Sequence, residues 1–185
     1  MSFVSEIMQQ APDRFKSPLQ AMTYASLAEL QIPFQRVETD ETVTMEDCTP
    51  INHKLDMKMV KTLFLCNRQR TAFNLYVTTA DKPFNAREFS NALGIARVSF
   101  APAELMESML GVTIGAATVF GVLRDTDHRV QVVVDRDVVR EEWYGCSDGT
   151  TTGYMKVKTG HIVDDFLVHA RHAPTVIEVN NPATG

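Results

Sequence analysis

VKTLFLCNRQRTAFNLYVT, residues Val60 to Thr78, holds two strongly apolar segments, Val60 to Cys66 and Thr71 to Thr78, joined by the polar turn Asn67 to Arg70. Short runs rich in β-branched and aromatic residues on either side of a polar turn predict a β-hairpin. Lys61 stands near the start of the first, otherwise apolar, strand. Burying an ammonium without a partner is costly. Lys61 therefore either lies at a rim, its stem covering apolar surface, or faces a site where its charge clamps a phosphate or a developing oxyanion.

The flanks of the hairpin supply helices as well as strands. Upstream, Ser17-Pro18 reads as an N-cap followed by proline at the first helical position. Leu19, Met22, Leu27 and Leu30 give that helix an apolar face up to about Gln31, Pro33 stops it, and Phe34 to Glu38 alternates as a short strand. Residues 1–16 have no clear period and read as a loosely docked arm. Thr44-Met45-Glu46-Asp47 looks like a capped helical turn, followed by a polar stretch. Downstream, Ala86 to Leu93 and Ala103 to Leu110 read as helices closed by Gly94 and Gly111, with a strand from Ala96 to Phe100 between them. Thr118 to Leu123 and Val130 to Val134 read as a second hairpin around Arg124 to Arg129. Tyr154 to Val157 reads as a strand, and His161 to about His169 as a helix presenting Ile162, Phe166 and Leu167 inward. Pro174 follows, and 180–185 is a turn-rich tail. Hairpins with interspersed helices, and no repeat or linker, predict one α+β domain with a mixed sheet, spanning 17–179.

Composition narrows the classes. The chain has 185 residues, 44% hydrophobic and 22% charged, with a formal net charge of −5, as one soluble globular domain would have. No apolar run approaches the roughly 20 residues a membrane span needs, and the first residues lack a signal-peptide pattern, so a cytoplasmic protein is expected. Cys48, Cys66 and Cys146 form no CxxC pair and read as free thiols; the five histidines include no HExxH, and no metal site is expected. The acidic total argues against generic nucleic-acid binding. Charge is uneven, however. Five bases between Lys54 and Arg70 face one acid, Asp56, while Glu38 to Asp47 holds five acids and no base. The basic stretch is either a solvated face or a contact patch.

Phosphate-binding and nucleophile-elbow motifs are absent. Three features remain. Lys61 is the first. The second is LGVTIGAATVF, Leu110 to Phe120, where Gly115-Ala116-Ala117 lets backbone N–H groups approach a ligand. The third is YGCSDGTTTG, Tyr144 to Gly153, a hydroxyl-rich segment suited to a polar pocket wall or a plain surface loop. Cys146 within it has no histidine nearby in sequence to activate it.

In this order and spacing the three features resemble the YbaK and prolyl-tRNA-synthetase-associated domain family of free-standing trans-editing proteins, closest to the branch that removes alanine from mischarged tRNA(Pro). VKTLFL (Val60 to Leu65) matches a KNLFL-like strand. ARVSFAPAELMESMLGVTIGAATVFGVL (Ala96 to Leu123) matches an RLSFA…LGVxPGxVTPF-like stretch, and VETDETVTMEDC matches a VEHxxxxT segment. The resemblance covers about Ser17 to Val179. It implies a mixed, mostly antiparallel curved sheet flanked by helices, and an aminoacyl-tRNA deacylase that uses neither cofactor nor metal. Lys61 would bind and orient the aminoacyl ester. Gly115, Ala116, Ala117 and Val119 would shape a pocket that admits alanine and excludes proline, with Thr44, Ser99, Gly145, Thr150 and Thr152 as further substrate-binding positions. Lys54, Lys58, Arg68 and Arg70 would contact the tRNA acceptor end. The implied partners are aminoacylated tRNA and prolyl-tRNA synthetase, not DNA or membrane. Hydrolysis in the family leans on the substrate's terminal ribose hydroxyl and a bound water, which requires no Ser/His/Asp triad.

Some positions depart from the family pattern. Val119 replaces a proline, Gly145 a histidine, Cys146 a proline, Gly149 an asparagine, and Thr39 the histidine of the VEH segment. Either the pocket has widened for another aminoacyl group, or activity is reduced or lost and the chain is a tRNA- or synthetase-binding module of the same fold.

Overall fold

In the computed structural model, which describes residues 3–180, Val60–Cys66 pairs antiparallel with Phe73–Thr79, Val60 opposite Thr79 and Cys66 opposite Phe73. The predicted hairpin forms. Alternation sends Val60, Phe64 and Cys66 into the main core, while Leu63 and Leu65 join Tyr76, Phe89 and Val133 in a second apolar cluster on the opposite face. A sheet covered on both faces needs continuous apolar strands, as this sequence has.

In chain order the elements are α1 (Pro18–Glu29), β1 (Gln35–Glu38), α2 (Thr49–Leu55), β2 (Val60–Cys66), β3 (Phe73–Thr79), α3 (Ala86–Leu93), β4 (Ser99–Phe100), α4 (Ala103–Leu110), β5 (Val130–Asp135), α5 (Arg136–Val139), β6 (Trp143–Ser147), β7 (Gly153–Lys158), α6 (Leu167–His169) and β8 (Thr175–Ile177). They form a single mixed α/β domain. Five strands, in the order β4-β2-β3-β5-β8, make the larger sheet, and β1-β7-β6 make the smaller. The sheets meet where Met59, just before β2, bridges Gly145 in β6. Among the described residues no helix is long and apolar enough to cross a membrane.

Local signals set the helix ends. Ser17 accepts a hydrogen bond from Gln20 N at 3.1 Å, and Gly94 and Gly111 end α3 and α4 in the left-handed region. Leu19 and Leu27 are buried, but Met22 is exposed. The inner face of α1 carries Gln20 and Tyr24 instead, because both donate to the buried carboxylate of Asp148, at 2.9 and 2.8 Å. The arm does not hang free: Met8 exchanges two backbone hydrogen bonds with Arg36 of β1, and Val4 bridges Thr39. Of the tail, 181–185 lies outside the described residues.

Four expectations are corrected. Thr118 to Leu123 is not a strand: Val119–Arg124 is a 3-10 helix with Thr118 at its N-cap, and β5 pairs parallel with β3 instead of closing a second hairpin. Val119, Phe120 and Val122 are all buried, so the run has no polar face whose period would distinguish helix from strand. Tyr144 to Ser147 belongs to β6, leaving only the remainder of the segment as loop. The stretch after Asp47 contains α2, with Ile51 and Leu55 inward. The strand expected over Ala96 to Phe100 shrinks to β4.

Candidate functional site

At Lys61 to Leu63, β2 has β3 on one side only, because β4 pairs no further than Leu65 and Cys66. A cavity of about 280 Å³ lies here, lined by Thr42 to Met45, Cys48, Met59 to Leu63, Gly115, Ala117, Cys146, Ser147 and Tyr154. The loop after α4 closes it. Gly115 has φ +90°, and a Cβ there would approach the Val43 backbone to 3.1 Å, so glycine is what lets the loop meet the Thr42–Val43 segment. Thr44 holds its own turn, accepting from Asp47 N at 3.2 Å, while the Asp47 carboxylate accepts from the Val43 and Thr44 amides; those bonds hold its pKa below the ordinary carboxylate range.

Lys61 is half-buried, and its ammonium donates to the Lys82 carbonyl. Burial pushes its pKa below the ordinary lysine value, against the pull of Asp81. The opposite wall is made of hydroxyls. Thr42 and Tyr154 are hydrogen-bonded to each other, and burial raises the Tyr154 phenol to about 12. The Ser147 hydroxyl donates to Thr150 O at 2.6 Å and accepts from Gly149 N at 3.0 Å, so its proton is already engaged. Burial also raises the thiols of Cys48, to about 11, and Cys146, further still. Neither is primed for attack.

Of the positions expected from sequence, Lys61, Thr44, Gly115 and Ala117 line this one cavity. The other proposed positions do not line this cavity. Ala116 and Val119 are core residues, and Ser99 is exposed on β4, opposite Cys66 at the far end of β2. Thr150 bonds Asp148 through its amide and hydroxyl, and Thr152 accepts from the Lys16 ammonium at 2.7 Å. Gly145 leaves no open space for a side chain. A Cβ there would lie 2.7 Å from Met57 Sδ and 2.8 Å from Lys58 O. The basic residues divide: Lys54 pairs with Glu6 and Lys58 with Glu141, while Arg68 and Arg70 are exposed in the hairpin turn, roughly 20 Å away at about 3.3 Å per strand residue. Sequence reasoning named neither Thr42 nor Tyr154 for the site, and reached Ser147 only through the hydroxyl-rich segment that contains it. Thr42 lies two residues before Thr44 in the quoted segment, and the other two flank the threonine loop.

Chemically, the cavity offers one ammonium, several hydroxyls and neither imidazole nor carboxylate. It can orient a polar substrate and stabilise negative charge, but it supplies no nucleophile–base pair of its own. Among the described residues no group of three or more His, Cys, Asp or Glu side chains could hold a metal ion.

Comparison with known proteins agrees with this picture. The chain is 31% identical over 115 residues to the prolyl-tRNA editing protein ProX of Acetoanaerobium sticklandii, covering 62% of this chain and 70% of that protein. It is 27% identical over 153 residues to prolyl-tRNA synthetase associated domain-containing protein 1 of Danio rerio, covering 82% of each. A solved structure of a candidate trans-editing enzyme for prolyl tRNA synthetase superposes with a TM-score of 0.63 at 12% identity, covering 90% of this chain and all of that one, and so shares the fold. The family model described as the aminoacyl-tRNA editing domain matches residues 39–164, more than half the chain and the whole of the Lys61 cavity. The chain belongs to the aminoacyl-tRNA editing domain family.

Proposed function

We propose that the protein is a trans-acting aminoacyl-tRNA deacylase that cleaves the ester of misacylated tRNA(Pro), with alanyl-tRNA(Pro) as substrate, in the cytoplasm alongside prolyl-tRNA synthetase. The observation that carries this reading is Lys61, a half-buried ammonium at a hydroxyl-lined cavity that lacks a nucleophile–base pair. An aminoacyl ester is activated enough for direct attack by water. The new C–O bond forms from water, the acyl–oxygen bond to ribose breaks, and the proton lost by water ends on the ribose oxygen. Lys61 stabilises the oxyanion formed between these events, and the substrate's neighbouring ribose hydroxyl relays the proton. The small residues Gly115 and Ala117 set the aminoacyl end of the cavity. Exclusion by size suits a substrate as small as alanine, which affinity alone discriminates poorly.

A second reading, a binding module without turnover, draws on two observations: the Lys61 ammonium is already bonded to the Lys82 carbonyl, and glycine occupies positions 145 and 149. One panel separates the readings. Purified protein and Lys61→Ala are incubated with alanyl-, cysteinyl-, seryl- and prolyl-tRNA(Pro). Loss of the alanyl ester alone, abolished by the substitution, supports the deacylase. Retention of every ester together with tRNA binding supports the module.

A further inference from the structure

A second, larger cavity of about 610 Å³ adjoins the first, within the ~300–1,000 Å³ range of small-ligand sites. Met59 and Val60 line both cavities. Lys61 lines the smaller, and its ammonium bonds the carbonyl of Lys82, which lines the larger, so the lysine stands at their junction. The larger cavity is also lined by Trp143, the only tryptophan in the sequence. The ammonium groups of Lys156 and Lys158 each lie 4.4 Å from its ring centroid and hold the indole at the start of β6; a base that stacks on a face they cover displaces them.

We propose that this cavity receives the unpaired nucleotides preceding the esterified one at the tRNA 3′ end, with Trp143 as the surface on which a base stacks. The proposal rests on the deacylase reading and deepens it: an ester held at Lys61 with its acyl group in the smaller cavity directs the preceding chain into the larger. Sites for single-stranded nucleic acid pair an aromatic platform with nearby cations. The charges here favour a base over a phosphate. Lys58, Lys82 and Arg140 line the cavity, but so do Asp81, Asp137 and Glu141, and five of these six pair with one another, Lys58 with Glu141 and Asp137 with both Lys82 and Arg140. A balanced lining gives little counterion release, so binding should depend weakly on salt.

Because Trp143 is unique, its fluorescence reports the site in the unmodified protein. Titration with the trinucleotide CCA should quench it saturably, with an affinity that changes less than about threefold between 50 and 200 mM salt. Absence of quenching at millimolar CCA, or the steep salt dependence of phosphate binding, overturns the proposal. In a second measurement, hydrolysis of an alanyl-minihelix ending in CCA is compared with that of alanyl-adenosine. Trp143→Ala should raise KM for the minihelix about tenfold, as expected for a lost base–aromatic stack, at least fivefold more than for alanyl-adenosine; Trp143→Phe should restore most of the difference. Equal losses on both substrates, or none, overturn it. If the wild type hydrolyses neither ester, the deacylase reading falls while the quenching titration still decides the nucleotide site.

Discussion

Gly145→Ala should destabilise the protein through two contacts that come from different directions. The added Cβ would stand 2.7 Å from Met57 Sδ and 2.8 Å from Lys58 O, both closer than real Cβ atoms approach. The sulfur is the far end of a flexible side chain and can retreat. The carbonyl cannot, because the next residue, Met59, is bridged to Gly145 itself and its amide is held by Asn52 Oδ1 at 3.1 Å. Overpacking of this kind costs about 1–3 kcal/mol. With an unfolding entropy of about 2.1 cal/mol/K per residue, ~0.4 kcal/mol/K for the whole chain, a loss of 2 kcal/mol lowers Tm by about 5 °C. Thermal and urea unfolding followed by circular dichroism would measure it. In a Met57→Ala background the sulfur contact is gone and the carbonyl contact stays, so most of the cost of Gly145→Ala should remain, with a coupling below about 0.5 kcal/mol. A change within about 0.5 kcal/mol of wild type in the single variant would refute the reasoning. By the same geometry, Gly145→His places no imidazole in the Lys61 cavity and lowers stability further.

Other outcomes follow from the same structure. Lys61→Ala should lower deacylation kcat/KM by about 10²–10³, the effect of removing a preorganised charge from a developing oxyanion, and Lys61→Arg should not restore it, because the guanidinium is larger and planar. Lys82→Met should cost about 3–5 kcal/mol in urea unfolding, since it removes the countercharge of Asp135, which is 1% exposed, accepts from Lys82 at 2.8 Å and would keep only the Thr78 hydroxyl and the Asp137 amide as donors. Asp125 provides a pH signature. Burial opposes its ionisation, but hydrogen bonds from His172 and the Val130 and Arg129 amides outweigh this and hold its pKa below 3.8. A depressed carboxylate pKa stabilises the fold above the unfolded value and loses that contribution as pH falls through the folded one. The stability advantage of wild type over Asp125→Asn, read from urea midpoints, should therefore be full at pH 6 and shrink towards pH 3.

What sequence could reveal here was whatever local chemistry decides. The Ser17-Pro18 start, the glycines closing α3 and α4 and the polar turn between β2 and β3 obey rules that act within a few residues, and all appear where expected. Thr118 to Leu123 defeated the same approach because its apolar residues are buried on every side, and the partner of β5 proved to be β3, more than fifty residues away, joined in parallel. In α2 the signal was present but faint: Pro50 in the first turn and Ile51 and Leu55 four apart. The inner face of α1 looked incomplete because Asp148, on the other side of the molecule in sequence, recruits Gln20 and Tyr24. At the site, Lys61 and Gly115 were recognisable from their motifs. Thr42 and Tyr154 were not, and Ser147 was reached only through the hydroxyl-rich segment that contains it, since only the meeting of three distant segments makes the three neighbours.

The docked arm has a practical consequence for anyone who handles this protein. Met8 takes both backbone groups of Arg36, so the outer side of β1 already has a partner, while Met59 takes up Gly145 on the far strand of the same small sheet. Deleting the first ten residues would leave Gln35 to Glu38 with open amides and carbonyls, a template on which a second molecule could continue the ribbon. Shortened forms should therefore self-associate with rising concentration while the full chain stays dispersed. Affinity tags at that end are better set off by a flexible spacer than traded for the arm itself.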